Sequence, residues 1–97
     1  MESVKIYNKK DDKESELNLD GLFIEIGRKT NTKLVDGLVK KNEDGEIMVD
    51  DSCETNVSGL FAAGDTTQVK FKQIPIAVGQ GTISALSSYQ YIQLKKT

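Results

Sequence analysis

Short apolar runs broken by charge fill the chain up to residue 63, and a helical pattern takes over only near the end. Residues 3–7, SVKIY, alternate in polarity and predict a strand, and residues 8–15, NKKDDKES, predict a charged, solvated turn. Leu17 then leads through Asn18 to GLFIEI, so the unit reads as a hairpin followed by a buried strand. Leu22, Phe23, Ile24 and Ile26 carry the apolar, β-branched and aromatic bias of strands, and Gly27 ends the run. In residues 28–41, Leu34, Val35, Leu38 and Val39 recur at i, i+1, i+4 and i+5, which suits a short helical turn. Gly37 weakens that turn by about 1 kcal/mol relative to alanine. NEDGEI, residues 42–47, predicts a tight turn entering a strand, with Ile47 and Val49 on one face and Met48 on the other. DDSCETNVS is a polar loop before GLFAAGD, residues 59–65, whose positions 60–63 predict a second short buried strand.

After Asp65 a loop runs to about Lys72, and residues 75–94 predict a long helix. Pro75 fits its first turn, where a missing N–H is no loss. Val78, Ala85, Tyr89 and Ile92 form the expected apolar stripe. Ala77, Gly81 and Ala85 form a second row of small residues, suited to lying close against another surface. Lys95 and Lys96 suit the negative end of the helix dipole.

With 97 residues, the chain suffices for one small domain with a modest core. A net charge of −2 gives no general attraction to phosphate backbones, so no nucleic-acid partner is expected. No apolar run approaches the roughly 18 residues of a membrane helix. The first ten residues lack the apolar core of a signal peptide, so a cytoplasmic location without membrane contact is expected. The single cysteine, Cys53, allows no internal disulfide, and the lack of histidine excludes His-based triads and the usual zinc sites. Neither a catalytic residue nor a metal ligand is assigned.

Several patterns resemble sites without being them. GQGTIS, residues 79–84, resembles half of a dinucleotide fingerprint but falls inside the expected helix, where close packing explains it. KNEDGE, residues 41–46, lacks the early oxygen ligands of a calcium loop and reads as an ordinary turn. Cys53 lies among Asp50, Asp51 and Glu54, whose charges disfavour a thiolate, so an inert thiol is expected. The strand-Gly64-Asp65 unit stands apart. Glycine lets a ligand approach the backbone, and a carboxylate beyond a strand end can accept a hydrogen bond from a sugar or polyol hydroxyl. The plainer reading is that Asp65 ends the strand and caps the next turn. Gln73 and Ile74 open the helix, and their free N–H groups make an end that attracts negative charge.

TNVSGLFAAGD, followed by KQIPIAVGQGTISALSSYQYI, resembles the C-terminal part of the thioredoxin-reductase-like pyridine nucleotide-disulfide oxidoreductases. CETNVSGLFAAGDTT and KQI are most similar to the flavoprotein subunit of alkyl hydroperoxide reductase. LDGLFIEIGRKTNT resembles the family's DG-[VL]-F-[IV]-x-I-G-x-x-P-N-T, with Thr30 where that pattern has proline. The resemblance covers nearly the whole chain. It implies a partial α/β fold: a β-hairpin, strands and one long C-terminal helix, forming the end of a flavoprotein with two dinucleotide-binding domains. Residues 1–28 would be the closing hairpin and last strand of the pyridine-nucleotide domain, and residues 29–97 the returning part of the FAD domain.

The resemblance also implies roles. Gly64 and Asp65 would bind the ribityl and pyrophosphate region of FAD. Lys72, Gln73 and Ile74 would lie beside the flavin, with the amides of the helix start stabilising negative charge on its N1–C2=O edge. The family's two GxGxxG motifs and its Cys-x-x-Cys are absent from this sequence, so NAD(P)H would be used only by the parent enzyme. The implied partners are the remainder of the flavoenzyme or a homodimer mate and, for the parent, thioredoxin or a peroxiredoxin-system protein. The alternative is a small non-enzymatic α/β module that docks on a partner chain. In either case the expected strands would expose unpaired edges and apolar faces.

Overall fold

The computed structural model describes residues 2–95, so Lys96 lies outside the described residues. Two strands pair antiparallel, β1 (Ser3–Asn8) with β2 (Lys13–Asn18), in a register that sets Val4 opposite Leu17 and Lys5 opposite Glu16. β2 begins inside the stretch expected as turn, because Asn8 and Asp11 close the loop tightly. Their side chains accept from the backbone N–H of Lys10 and Lys13 respectively, at 3.0 and 3.2 Å. Every residue of β2 is exposed, so the hairpin has no packed face.

Residues 21–29 are not a strand, which corrects the expectation of a buried one. Phe23 and Ile26 are each 91% exposed, and no described residue exchanges a backbone hydrogen bond with residues 21–27. A strand needs a ladder partner, and the sequence pattern alone supplies none. The expected strand at residues 60–63 is likewise reduced to one antiparallel bridge, Glu54 with Phe61. There Thr55 draws the chain into a tight loop: its hydroxyl donates to the Leu60 carbonyl at 2.8 Å, and its N–H donates to the same oxygen at 3.1 Å.

The core is small and forms where three loops meet the last helix. Ile47, Cys53, Thr32 and Thr67 are buried. The turn expected at residues 42–47 is present: the Asn42 side chain accepts from the N–H of Asp44 and Glu46, and Lys41 bridges Ile47. Ile47 then pairs parallel with Thr67, and Ile47 and Val49 are more buried than Met48, as alternation requires. The helical turn expected within residues 28–41 is a short 3-10 turn, Lys33–Val35. Thr30, at the family's proline position, donates its hydroxyl to the Asp44 carbonyl at 3.3 Å, a bond proline cannot make.

The long helix, α1 (Ile74–Lys95), begins one residue before the expected Pro75, which therefore occupies its first turn. It rests on the rest of the chain by a different face from the one expected. Ala77, Gln80, Ser84, Ser88 and Tyr91, at helical spacing, are half-buried, with Ile76 and Ser87 beside them. Val78, Tyr89 and Ile92 are 63%, 64% and 51% exposed, and Gly81 and Ala85 of the small row are exposed with them. GQGTIS lies wholly within α1, not at a strand-to-helix turn. No helix among the described residues is long and apolar enough to cross a membrane.

Candidate functional site

The chain turns sharply at Gly64, which adopts φ +84°, a left-handed conformation that side chains resist. Residues Gly64–Thr66 form a single 3-10 turn that carries Asp65 out to solvent. Gln80 of α1 fixes this turn from beneath: its side-chain oxygen accepts from the Gly64 N–H at 2.8 Å. Thr67, fully buried, donates its hydroxyl to the Gly64 carbonyl at 2.8 Å. Both polar groups of Gly64 are thus satisfied, and Asp65 projects from a rigid base.

Arg28 reaches across the site from the other half of the chain. Its Nη1 donates to Oδ2 of Asp65 at 3.3 Å, and both terminal nitrogens donate to the Lys72 carbonyl at 3.2 Å. One guanidinium therefore ties the Asp65 turn to the entry of α1. Arg28 and Asp65 side chains are 57% and 55% exposed, so the ion pair contributes at most about 1 kcal/mol and a ligand can displace it.

Lys72 is held differently from Asp65. Its ammonium donates to the carbonyls of Thr67 and Val69 at 2.8 and 2.7 Å and pairs with Glu46, both side chains being largely covered. The Lys72 bond, aided by Asn42, holds the Glu46 carboxyl below its ordinary pKa. The Lys72 side chain thus clasps its own loop, and what it offers outward is backbone. Gln73 precedes α1, and its carbonyl accepts from Ile76 and Ala77 at 3.1 and 3.0 Å. Among the described residues nothing accepts from the N–H groups of Gln73 and Ile74, and the Ile74 side chain is 81% exposed.

A cavity of about 550 Å³ opens beside this cluster, lined by Arg28, Lys29, Thr30, Asn31, Asp44, Glu46, Asp65, Thr66 and Lys72. Its three cations and three carboxylates balance, so it suits a ligand that combines hydroxyls with anionic groups better than a bare anion. Cys53 lies elsewhere, 2% exposed, with its thiol pushed up chiefly by burial and further by Asp50. No cluster among the described residues is fit to hold a metal.

The structure links Asp65 to Lys72 at the entry of α1 through Arg28, a residue to which the sequence pattern assigns no role. Arg28 lies 37 residues from Asp65, and no local pattern announces such a contact. Gln80 is hidden in the sequence inside a glycine pattern. A polar residue facing the chain between small ones is the signal that could have found it.

The sequence profile described as pyridine nucleotide-disulphide oxidoreductase matches residues 2–81. The F subunit of alkyl hydroperoxide reductase from Escherichia coli (strain K12) is 48% identical over 81 residues, covering 84% of this chain and 16% of that protein. Its counterpart in Staphylococcus aureus (strain NCTC 8325 / PS 47), of the same name, is 50% identical over 76 residues, covering 78% and 15%. Among solved structures, T. acidophilum thioredoxin reductase superposes with a TM-score of 0.77 at 40% identity, over 92% of this chain and 30% of that one. Lactococcus lactis thioredoxin reductase in its FR conformation gives 0.76 at 36% identity, over 94% and 30%.

Proposed function

Because the chain belongs to the pyridine nucleotide-disulphide oxidoreductase family, we propose that it is the C-terminal, FAD-contacting piece of a cytoplasmic flavoenzyme resembling thioredoxin reductase and the F subunit of alkyl hydroperoxide reductase. Its parent would pass electrons from NAD(P)H through FAD to a disulfide of a thioredoxin or peroxiredoxin system. Residues 1–28 would close the pyridine-nucleotide domain and residues 29–97 complete the FAD domain. The observation that carries this reading is that Arg28 spans the Asp65 carboxylate and the Lys72 carbonyl, immediately before the unsatisfied amides of Gln73 and Ile74.

In chemistry these groups match the hydroxyls of a ribityl chain and the electron-rich edge of a flavin. With FAD bound, the Asp65 carboxylate would accept a hydrogen bond from a ribityl hydroxyl in place of the one from Arg28. Gly64 keeps the adjoining backbone bare of a side chain. The amides of Gln73 and Ile74, at the positive end of α1, would hold negative charge on a flavin bound there. Lys72 positions that entry through its clasp on Thr67, Val69 and Glu46. Bound FAD would supply the two-electron redox chemistry, for which this chain has neither dithiol nor dinucleotide fingerprint. The chain alone should therefore take up little or no flavin.

The test is a chimera in which this chain replaces the matching stretch of the Escherichia coli relative. Asp65→Ala should weaken flavin retention roughly 10- to 100-fold, the equivalent of one charge-assisted hydrogen bond of about 1.5–3 kcal/mol. Asp65→Asn should lose less. Unchanged affinity in the alanine variant overturns the role of Asp65. A chimera that folds but never binds flavin supports the second reading, a non-enzymatic module that docks on a partner.

A further inference from the structure

Tyr91, near the end of α1, has surroundings that the proposed function does not use. Ser58 donates its hydroxyl to the Tyr91 hydroxyl at 3.3 Å. The Lys95 ammonium, one helical turn on, lies 5.3 Å from the centre of the same ring. Phe61 meets that ring edge-on, with centroids 6.1 Å apart and planes at 76°. Gly59, at φ +86°, lets the loop close on the phenol: a side chain there would come within 3.1 Å of the Tyr91 hydroxyl. The hydroxyl is thus held by a loop, a ring and a cation.

This cluster opens on a cavity of about 270 Å³, lined by residues 54–59 and Tyr91. None of these residues lines the cavity beside Asp65. A hydroxyl donor and an ammonium beside one phenol both favour its ionised form. The Tyr91 phenol is accordingly held below its ordinary value, first by the Ser58 hydrogen bond and then by Lys95. Glu54 lines the same cavity, yet the shift is downward. The Ser58 bond alone would serve to hold the loop to the helix. Lys95 shares a helix with Tyr91, so their contact cannot tie that helix to the loop, and it acts on the phenol itself.

We propose that Tyr91, flanked by Ser58 and Lys95, is an activated nucleophile that takes up an acyl group from a small activated acyl donor entering this cavity. The phenolate oxygen attacks the acyl carbon, and a C–O bond forms. The bond from that carbon to its leaving group breaks, and the leaving group departs with the phenol's proton. Ser58 and Lys95 stabilise the anionic oxygen before the attack.

Acetylation of the full chain by N-acetylimidazole, read by fragment mass spectrometry of its peptides, tests the site. Tyr7 and Tyr89 are internal controls, 54% and 64% exposed, whereas Tyr91 is half-buried. Exposure alone would rank Tyr91 last. Tyr91 should instead gain hydroxylamine-labile acetyl roughly 10-fold faster than either, the effect of one hydrogen bond to a charged group. In concentrated urea the three should react alike. Ser58→Ala and Lys95→Gln should each remove most of the preference, and Lys95→Arg should keep it. Tyr91→Phe retains the ring against Phe61, so it should lose the fast acetyl and keep the helical circular dichroism. Faster labelling of Tyr7 or Tyr89 overturns the proposal, as does acetyl on Lys95 in place of Tyr91. A Lys95→Gln variant that reacts as fast as the parent leaves Tyr91 a mere clamp. A preference that survives urea overturns the site too, since it would come from neighbouring residues and not from the fold.

Discussion

Glu46 is where pH acts on the loop that positions the candidate site. Its carboxyl is held below the ordinary value of 4.5, first by the Lys72 hydrogen bond and then by Asn42. A lowered folded-state pKa gives stabilisation that is complete above the unfolded pKa and is lost as pH falls through the folded one. The Lys72 clasp should therefore hold at neutral pH and loosen below 4.5, freeing residues 67–72 while α1 persists. Amide exchange or backbone chemical shifts of that loop between about pH 6 and about pH 3 would follow this. Glu46→Gln should show the loosened loop already at neutral pH and little further change on acidification. A loop equally ordered in the variant would mean that the carbonyls of Thr67 and Val69 hold Lys72 unaided. At this scale the sequence was readable where a residue works with its neighbours. Gly64 and Asp65 stand out together because turn and charge are adjacent. Arg28 and Glu46 do not, because each acts on a group far along the chain.

The elements divide in the same way. The hairpin and α1 are legible, since their hydrogen bonds are local and their patterns periodic. The two apolar runs, GLFIEI and GLFAAG, carry strand composition but form no strands, because strand identity also needs a partner that composition does not supply. α1 was legible as a helix but not in orientation. Its most apolar stripe, with Val78, Tyr89 and Ile92, faces solvent, and its half-buried face is mostly small and polar apart from Ile76 and Tyr91. Hydrophobicity assigns the face a complete fold would cover, whereas this chain uses the face whose hydrogen bonds it can satisfy. Gln80 is the centre of that face. Gln80→Ala should leave the Gly64 N–H without its acceptor and cost about 1–3 kcal/mol. Urea unfolding followed by helical circular dichroism would measure it. Val78→Ser, on the exposed stripe, should change the midpoint of the chain alone far less. If the two substitutions cost the same, Gln80 does not anchor the turn.

At the scale of the molecule, the Cα radius of gyration is 20.2 Å, and the longest dimension is 68 Å against 26 and 25 Å across. A compact domain of this length has a radius of about 12–13 Å. The difference comes from the junction at residues 20–29, which carries the hairpin away from the small core with no backbone–backbone hydrogen bond to either among the described residues. Among the described residues only the Arg28 side chain ties its far end to the body, and that tie is a solvent-exposed ion pair and two bonds to one carbonyl. Small-angle scattering from dilute chain should therefore return a radius near 20 Å, and a protease should cut first within residues 20–29. Raising the salt concentration should leave the radius essentially unchanged, because the screened Arg28 pair contributes little. A radius near 13 Å would mean that the hairpin folds back over the body and covers Phe23 and Ile26 by itself. That apolar run would then need no cover from elsewhere, whereas an extended chain cut within residues 20–29 leaves it bare.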